Sequence, residues 1–320
     1  MKVVVTGGAG FIGANLCRKL RATDGIDEIV ALDDLSTGIK ANLDGVPDVD
    51  LLVGSILDVD ALDEACRGAA AVVHLAARPS VPRSLDDPMA SHDANATGTA
   101  RVLEAARRAG NAHVVVASSS SVYGANPTLP KQEDLTPAPV SPYAASKLAT
   151  ESYALAWARS FQLPVLAFRF FNVFGPLQAA NHAYAAVVPA FVAAGLAGTP
   201  LTVHGDGTQS RDFTYVGSVA SIITDALVQR ITYDGPVNLA FGGRATLLEL
   251  IALIEAELGH PVERAHTEVR KGDVPHSQAD PTRLNSLFPG TEPTPLVDGL
   301  HATVDWFRNP DAWASTGAPA

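Results

Sequence analysis

The chain has 320 residues, 47% of them hydrophobic and 18% charged, which is enough for one large or two moderate domains with a full core and is unlike a disordered chain. Its 34 acidic and 23 basic residues leave a formal net charge of -11, and with no basic run to offset it a nucleic-acid partner is disfavoured. Cys17 and Cys66 lack metal or redox spacing, Met1 runs directly into a strand with no signal peptide, and no apolar segment approaches the roughly 20 residues of a membrane span, so a reduced cytoplasm is expected.

Lys2 to Thr6 reads as a strand that stops at Gly7-Gly8-Ala9-Gly10-Phe11-Ile12-Gly13, after which Ala14 to Ala22 reads as a helix. The glycines at 7, 10 and 13 permit a tight turn, let backbone approach a pyrophosphate and let the helix lie close on the sheet, while the helix N-terminus offers unpaired N–H groups to phosphates. A second strand, Glu28 to Leu32, ends in Asp33, twenty positions after Gly13, where a carboxylate can accept from both adenosine ribose hydroxyls. Asp33 and Asp34 would also repel a 2′-phosphate, which favours NAD over NADP. Strands follow at Asp50 to Val53 and Ala70 to Leu75, then a helix at Ala90 to Ala109 and a strand at His113 to Ala117 that runs into four serines. A helix over 143–160 and a strand from Val165 to Phe171 complete the alternation, which predicts an α/β fold with a Rossmann-type doubly wound parallel sheet and ligands at the carboxyl ends of its strands. Beyond Gly175-Pro176 the pattern breaks into short helices with many prolines and glycines. Residues 1–175 are therefore expected to form the NAD-binding domain and 176–320 a smaller second domain, with 212–241, a helix and then the strand Val237 to Ala240, returning to the sheet.

Tyr143 and Lys147, four apart, project from one face of their helix. A nearby ammonium favours phenolate and would make the tyrosine a usable base. A phenol titrates near ~10, so work at neutral pH needs a shift of about three units, or roughly 4 kcal/mol, and a bound cation such as oxidised nicotinamide would have to add to the lysine.

Together these residues resemble the extended short-chain dehydrogenase/reductase family, and within it the NAD-dependent nucleotide-sugar epimerases and dehydratases. The resemblance runs from Lys2 to about Asp280 and rests on Thr6-Gly-Gly-Ala-Gly-Phe-Ile-Gly13, Asp33-Asp-Leu-Ser-Thr-Gly38, His74-Leu-Ala-Ala77, Asn95-Ala-Thr-Gly-Thr99, Ser118-Ser-Ser-Ser-Val-Tyr-Gly124, Tyr143-x-x-x-Lys147 and Arg169-Phe-Phe-Asn-Val-Phe-Gly-Pro176. It implies NAD held by Gly7, Gly10, Phe11, Ile12 and Gly13, and by Asp33, Asp34, Ser36 and Gly38. Ser55 and Ile56, Leu75, Ala76 and Ala77, Asn95 and Phe170 would surround it, with Lys147 on the nicotinamide ribose. Ser55 stands where many relatives have an aspartate. A nucleoside-diphosphate sugar is implied at Asn172, Val187-Val188, Thr202-Val203, Arg211, Arg270, Asp273 and Ser277, with Ser80 and Ser121 facing it. The arginines can clamp a pyrophosphate with fork geometry.

The serines discriminate between reactions. Ser119 occupies the family's catalytic Ser/Thr position and would hydrogen-bond the sugar's 4-hydroxyl, but Ser120 and Ser121 follow where related dehydratases bring an acid and a base. Unperturbed hydroxyls cannot replace a carboxyl pair as proton carriers at neutral pH. The expected activity is therefore 4-epimerisation of a UDP-hexose through a 4-keto sugar, with Ser119, Tyr143 and Lys147 as the reacting trio. A dehydratase or reductase of the same family is the alternative within enzymes, and a non-catalytic dinucleotide-binding regulator the alternative outside them. In the 4-epimerases that this chain resembles, the position four after the Arg-x-Gly-Asp motif helps set room for a 2-acetamido group; here it is the small Ser277, which implies that UDP-N-acetylglucosamine and UDP-N-acetylgalactosamine should fit beside UDP-glucose and UDP-galactose. UDP-glucuronate stays open as a substrate, with His182, Arg78 or Arg83 to meet its carboxylate. The nine histidines show no ligand spacing, so no metal is expected, and His74 reads as a packed, hydrogen-bonded residue. The family resemblance further implies a homodimer through helices around 92–109 and 143–160, with Tyr153 and Trp157 as an apolar strip.

Overall fold

The computed structural model describes residues 1–180, 185–269 and 274–309. Strand β1 (Lys2–Thr6) leads into helix α1 (Phe11–Arg21), followed by β2 (Glu28–Asp33), β3 (Val49–Val53), α2 (Val59–Cys66) and β4 (Ala71–His74). Two short helices, α3 (Val81–Asp86) and α4 (Pro88–His92), precede a π-helical turn at Asp93–Thr97 and α5 (Gly98–Arg108). Next come β5 (His113–Ser119), α6 (Pro142–Phe161), β6 (Val165–Phe170) and β7 (Asn172–Phe174). The carboxyl half adds α7 (Val187–Ala197), β8 (Leu201–His204), β9 (Ser210–Arg211), β10 (Phe213–Tyr215), α8 (Val216–Val228) and β11 (Pro236–Leu239). It ends with β12 (Ala245–Thr246), α9 (Leu247–Leu258), β13 (Arg264–Thr267), α10 (Thr282–Leu287) and α11 (Leu296–Arg308).

Seven strands form one sheet in the order β11-β6-β5-β4-β1-β2-β3, and each neighbouring pair is parallel. The chain builds outward from β1 through β2 to β3, then returns to β4 and builds the other way. Loops leaving β1 and β4 therefore diverge and open a crevice at their carboxyl ends. The register Thr6↔His74 sets the glycine turn beside the Leu75–Ala77 segment at that crevice.

Alternation along the strands supplies two cores. Val3 and Val5 pack with Leu16 and Leu20 of α1 and Ile222 and Ile223 of α8, whereas Val4 packs on the other face with Leu62, Val102, Leu103 and Ala154. A third cluster, including Phe174, Phe191, Leu250, Ile254 and Val304, holds the carboxyl half together. Strand β11 pairs with β6 and so joins residues after 212 to the main sheet.

The helix expected over 90–109 is different. The single helix over 90–109 is interrupted by the π turn, where Gly98 N donates to Asp93 O and the Asn95 carbonyl accepts the hydroxyls of both Thr99 and Thr150. An i to i−5 bond of this kind opens the i to i−4 ladder locally.

Candidate functional site

The glycine turn is built by close approach. A Cβ on Gly13 would stand 2.1 Å from the Gly7 carbonyl oxygen, so any side chain there would push α1 off the turn. Gly7 adopts φ +72° with its Cα against the Ala76 backbone, where a Cβ would lie 2.8 Å from the Ala76 nitrogen. Helix α1 then starts at Phe11 and not at Ala14, with Gly10 as its cap, which puts Phe11, Ile12 and Gly13 in its first turn, where N–H groups favour anions.

Asp33 ends β2 beside this turn. Its Oδ2 accepts from Ala9 N and its Oδ1 from Leu35 N, each at 2.9 Å, so each oxygen retains lone-pair capacity for a further donor such as a ribose hydroxyl. Burial pushes its carboxyl up, and the backbone N–H groups of Leu35 and Ala9 pull it back. A Cβ on Gly38 would meet the Asp33 carboxylate at 2.5 Å, so the loop can close over that carboxylate only with glycine. This cradle fits the adenosine half of a dinucleotide. Asp34 is tied to Ser36, whose Oγ donates to it at 2.6 Å. Ser55 Oγ accepts from Leu57 N at 3.1 Å, and Ile56 packs against Gly98. Phe170 is buried in the sheet core.

On the other side of the crevice, Leu75 N continues the ladder to Thr6 O and Ala76 N meets Thr6 Oγ1. Asn95 is 1% exposed. Its Oδ1 accepts from Arg78 N at 2.7 Å and its Nδ2 donates to Ser146 Oγ at 2.9 Å, so it ties the loop after Ala77 to α6. His74 Nδ1 meets Thr6 Oγ1 at 2.8 Å and Nε2 meets Thr99 Oγ1 at 3.0 Å. Burial, reinforced by the Lys147 charge, pushes this imidazole down to about 3, and it stays neutral.

Helix α6 carries Tyr143 and Lys147. Ser141 caps it by accepting from Ala144 N, and Pro142 opens its first turn. Tyr143 therefore lies in the first turn, where the helix dipole favours an anion. Burial raises the Tyr143 phenol and its hydrogen bond with Ser119 lowers it. Lys147 is 5% exposed, its Nζ donates to Ala117 O at 2.8 Å, and burial lowers it to about 8. The balance on the phenol is upward, so phenolate formation would need a further cation, which oxidised nicotinamide would supply when bound. Ser119 also caps the turn at Ser120–Tyr123 by accepting from Ser121 N at 3.1 Å. Among the described residues, Ser121 Oγ is buried without a hydrogen-bond partner. A sugar hydroxyl at that point would satisfy it.

In the carboxyl half the residues differ in what they offer. Asn172 Nδ2 donates to Asp212 O at 3.3 Å. Arg211 NH1 donates to Ser210 O at 2.9 Å and Pro275 O at 3.2 Å, and Ser277 N donates to Ser210 O, which brings Arg211 and the segment before Ser277 together. Thr202 is exposed and Val187 half-buried. The Val188 and Val203 side chains, by contrast, pack in the core of this half, so only their backbone can serve a ligand. Ser80 has φ +92° and caps α3 by accepting from Arg83 N. Arg270, Asp273 and His182 lie outside the described residues.

Residues without a role in the sequence reading also shape the site. Buried Glu151 pairs with buried Arg169 at 2.7 Å. Asp212 Oδ2 accepts from Gly242 N and Ala279 N, both at 3.1 Å, and so anchors the segment that contains Ser277. Burial raises the Asp212 carboxyl to about 6, against the pull of the Ala279, Gly242 and Gly243 N–H groups. A carboxyl raised in the fold contributes stability below its unfolded value near 3.8 that is lost as pH rises through about 6. Asp212→Asn keeps one oxygen for both N–H groups and should flatten the stability profile between about pH 4 and 6, as read by urea denaturation across pH. An unchanged slope would assign that titration elsewhere.

A glycine turn and acidic strand end at the switch of a parallel sheet, joined to a Ser/Tyr/Lys trio, define an enzyme of NAD-dependent hydride chemistry. Residues 3–240 match the model of the NAD dependent epimerase/dehydratase family, and the chain belongs to that family. Its cofactor is accordingly NAD. The chain is 37% identical to a UDP-glucose 4-epimerase of Mycolicibacterium smegmatis over 97% of its own length and 99% of the relative's. A UDP-N-acetylglucosamine 4-epimerase from Methanobrevibacter ruminantium, solved with UDP-N-acetylmuramic acid, superposes with a TM-score of 0.90 at 34% identity, covering 96% of this chain and 98% of that one. The Thermus thermophilus UDP-glucose 4-epimerase solved with NAD gives 0.88 at 34% identity, covering 97% and 99%.

Proposed function

We propose that the chain is a UDP-hexose 4-epimerase, and the observation that carries this is the placement of Tyr143 and Lys147 one turn apart on α6 with Ser119 at the end of β5, followed by Ser120 and Ser121 in place of carboxylates. Bound NAD supplies the acceptor and later the donor of the C4 hydride. Tyr143 takes the C4 hydroxyl proton, with the Ser119 hydroxyl bridging phenol and sugar. The Lys147 ammonium, fixed by the Ala117 carbonyl, adds positive charge behind the phenolate. Arg211, joined by Arg270, holds the diphosphate while the 4-keto sugar turns. Tyr143 then returns the proton as C4 is restored in the opposite configuration. No carboxylate pair follows Ser119 to eliminate water, so the pathway returns to an alcohol. In this reading residues 1–175 with 212–241 hold NAD and the rest of 176–320 holds the sugar nucleotide.

Proton NMR of UDP-glucose and UDP-N-acetylglucosamine, each incubated with the NAD-loaded protein, tests the proposal. Inversion at C4 without net NADH is expected, and inversion of neither would overturn it. Ser277→Tyr is expected to lower kcat/KM for UDP-N-acetylglucosamine about tenfold or more relative to UDP-glucose, because an aromatic side chain takes the space of the acetamido group. An unchanged ratio would remove Ser277 from the pocket.

The reading includes a cytoplasmic homodimer. Cys17 and Cys66 are free and buried, and no helix among the described residues is long and apolar enough to cross a membrane. On α6, Tyr153 stacks edge-on Trp157 at 5.9 Å and Trp157 on Phe161 at 5.6 Å, and Tyr153 and Phe161 remain 41% and 45% exposed. Such a strip suits a second copy. Tyr153→Glu should shift the protein to a monomer in size-exclusion chromatography with light scattering; a dimer that survives it would place the interface elsewhere.

A further inference from the structure

Helix α6 carries Tyr143 and Lys147, yet the side chains it buries are mostly polar: Ser146, Lys147, Thr150 and Glu151, beside only Ala144 and Ala154. Apolar contacts are non-directional, whereas hydrogen bonds fix the rotation of a helix about its axis. Each of the four polar groups is bonded. Ser146 Oγ accepts from Asn95 Nδ2 at 2.9 Å, Lys147 Nζ donates to Ala117 O at 2.8 Å, and Thr150 Oγ1 donates to Asn95 O at 2.9 Å. Glu151 makes the strongest set. Its carboxylate accepts Arg169 Nε at 2.9 Å and NH2 at 2.7 Å, a two-point charge-assisted pair, and Ser118 Oγ at 3.0 Å.

The side chains of Arg169 and Glu151 are 2% and 5% exposed. Replacing such a pair by apolar residues of similar volume is often neutral for stability, so the fold alone does not demand it. What it offers is direction. Ser118 precedes Ser119 and also donates to the Lys147 carbonyl at 3.3 Å. The Arg169 guanidinium lies 4.7 Å over the Tyr123 ring, at the end of the turn that Ser119 caps, and donates to Glu133 O at 3.1 Å. One guanidinium thus fixes the helix of the base, the strand of the serine and the serine turn relative to each other.

We propose that Glu151, Arg169 and Ser118 form a positioning cluster that sets where Tyr143 on α6 stands relative to Ser119 at the end of β5. None of the three touches substrate; they act through α6 and β5. The kinetic part of the test rests on the epimerase reading, and the spectroscopic part does not.

The experiment compares wild type, Glu151→Gln and the double variant Glu151→Leu/Arg169→Met, which leaves no unpaired charge, each NAD-loaded and with Tyr143 replaced by 3-fluorotyrosine. Fluorine NMR across pH reads the phenol directly. With Tyr143 shifted away from Ser119, the phenol should titrate about one unit higher, which is tenfold less phenolate at a given pH on the acidic limb. In the unlabelled variants kcat should fall about tenfold with KM for UDP-glucose unchanged, and the acidic limb of kcat should move up by the same amount. A folded variant whose phenol titration and kcat profile superimpose on wild type overturns the proposal and leaves the pair a purely structural feature. If the double variant does not fold, Glu151→Gln makes the same comparison. If wild type inverts no sugar, the functional reading fails by itself and the fluorine titration still decides the positioning.

Discussion

Tyr143→Phe should lower kcat for C4 inversion by about 10³-fold while NAD loading and KM for the UDP-sugar stay near wild type. General-base contributions run to about 10²–10⁴-fold, and the phenol is the one group in the trio able to carry the proton away from Ser119. The substitution removes a single oxygen. It leaves the cap at Ser141, the Lys147 bond to Ala117 and the cradle around Asp33 in place. Progress curves by proton NMR, with NAD content measured after denaturation, separate the two effects. Full activity in this variant would refute the assignment of Tyr143 as base; equal losses of activity and NAD would mean that the side chain acts by binding.

Arg169→Ala should destabilise the protein by about 3–5 kcal/mol, since it strips the partner from a buried carboxylate. Against a total stability of about 5–15 kcal/mol, that loss is large enough to reduce the folded population at growth temperature. Glu151, Ser118 and the Glu133 carbonyl would all lose their arrangement around the guanidinium. The double variant Glu151→Leu/Arg169→Met should be more stable than Arg169→Ala, because no charge is then left unpaired. Urea denaturation of the three proteins at neutral pH provides the comparison. A loss below about 1 kcal/mol for Arg169→Ala would show that water reaches the carboxylate and that the pair is not buried in solution.

Much of this was legible in the chain itself, and the limits of legibility have identifiable causes. The strand, glycine turn and helix at Lys2–Arg21 and the carboxylate at Asp33 are local patterns whose chemistry is local as well. The helix over 90–109 misled because its periodicity is continuous, while its π turn holds a carbonyl, that of Asn95, bonded by Thr150 from a different helix. Val188 and Val203 were expected at the substrate, and the packing of the carboxyl half turns both inward. Glu151 and Arg169 did carry a signal. Glu151 lies two turns beyond Tyr143 on the same face, and Arg169 interrupts an apolar strand; charges at core positions must find partners. That each was the other's partner could not be read from spacing alone.

By itself, the sequence determined the alternating strands and helices around the glycine turn and Asp33, and proposed the Ser119, Tyr143 and Lys147 trio, because period, turn chemistry and helical spacing act over a few residues. Only the tertiary structure decided what fixes that trio. Its frame is made by Asn95, Ser118, Glu151 and Arg169, which come from four separate elements. Directional bonds between elements distant in sequence depend on the crossing of β5, β6 and α6, and no local pattern records that crossing.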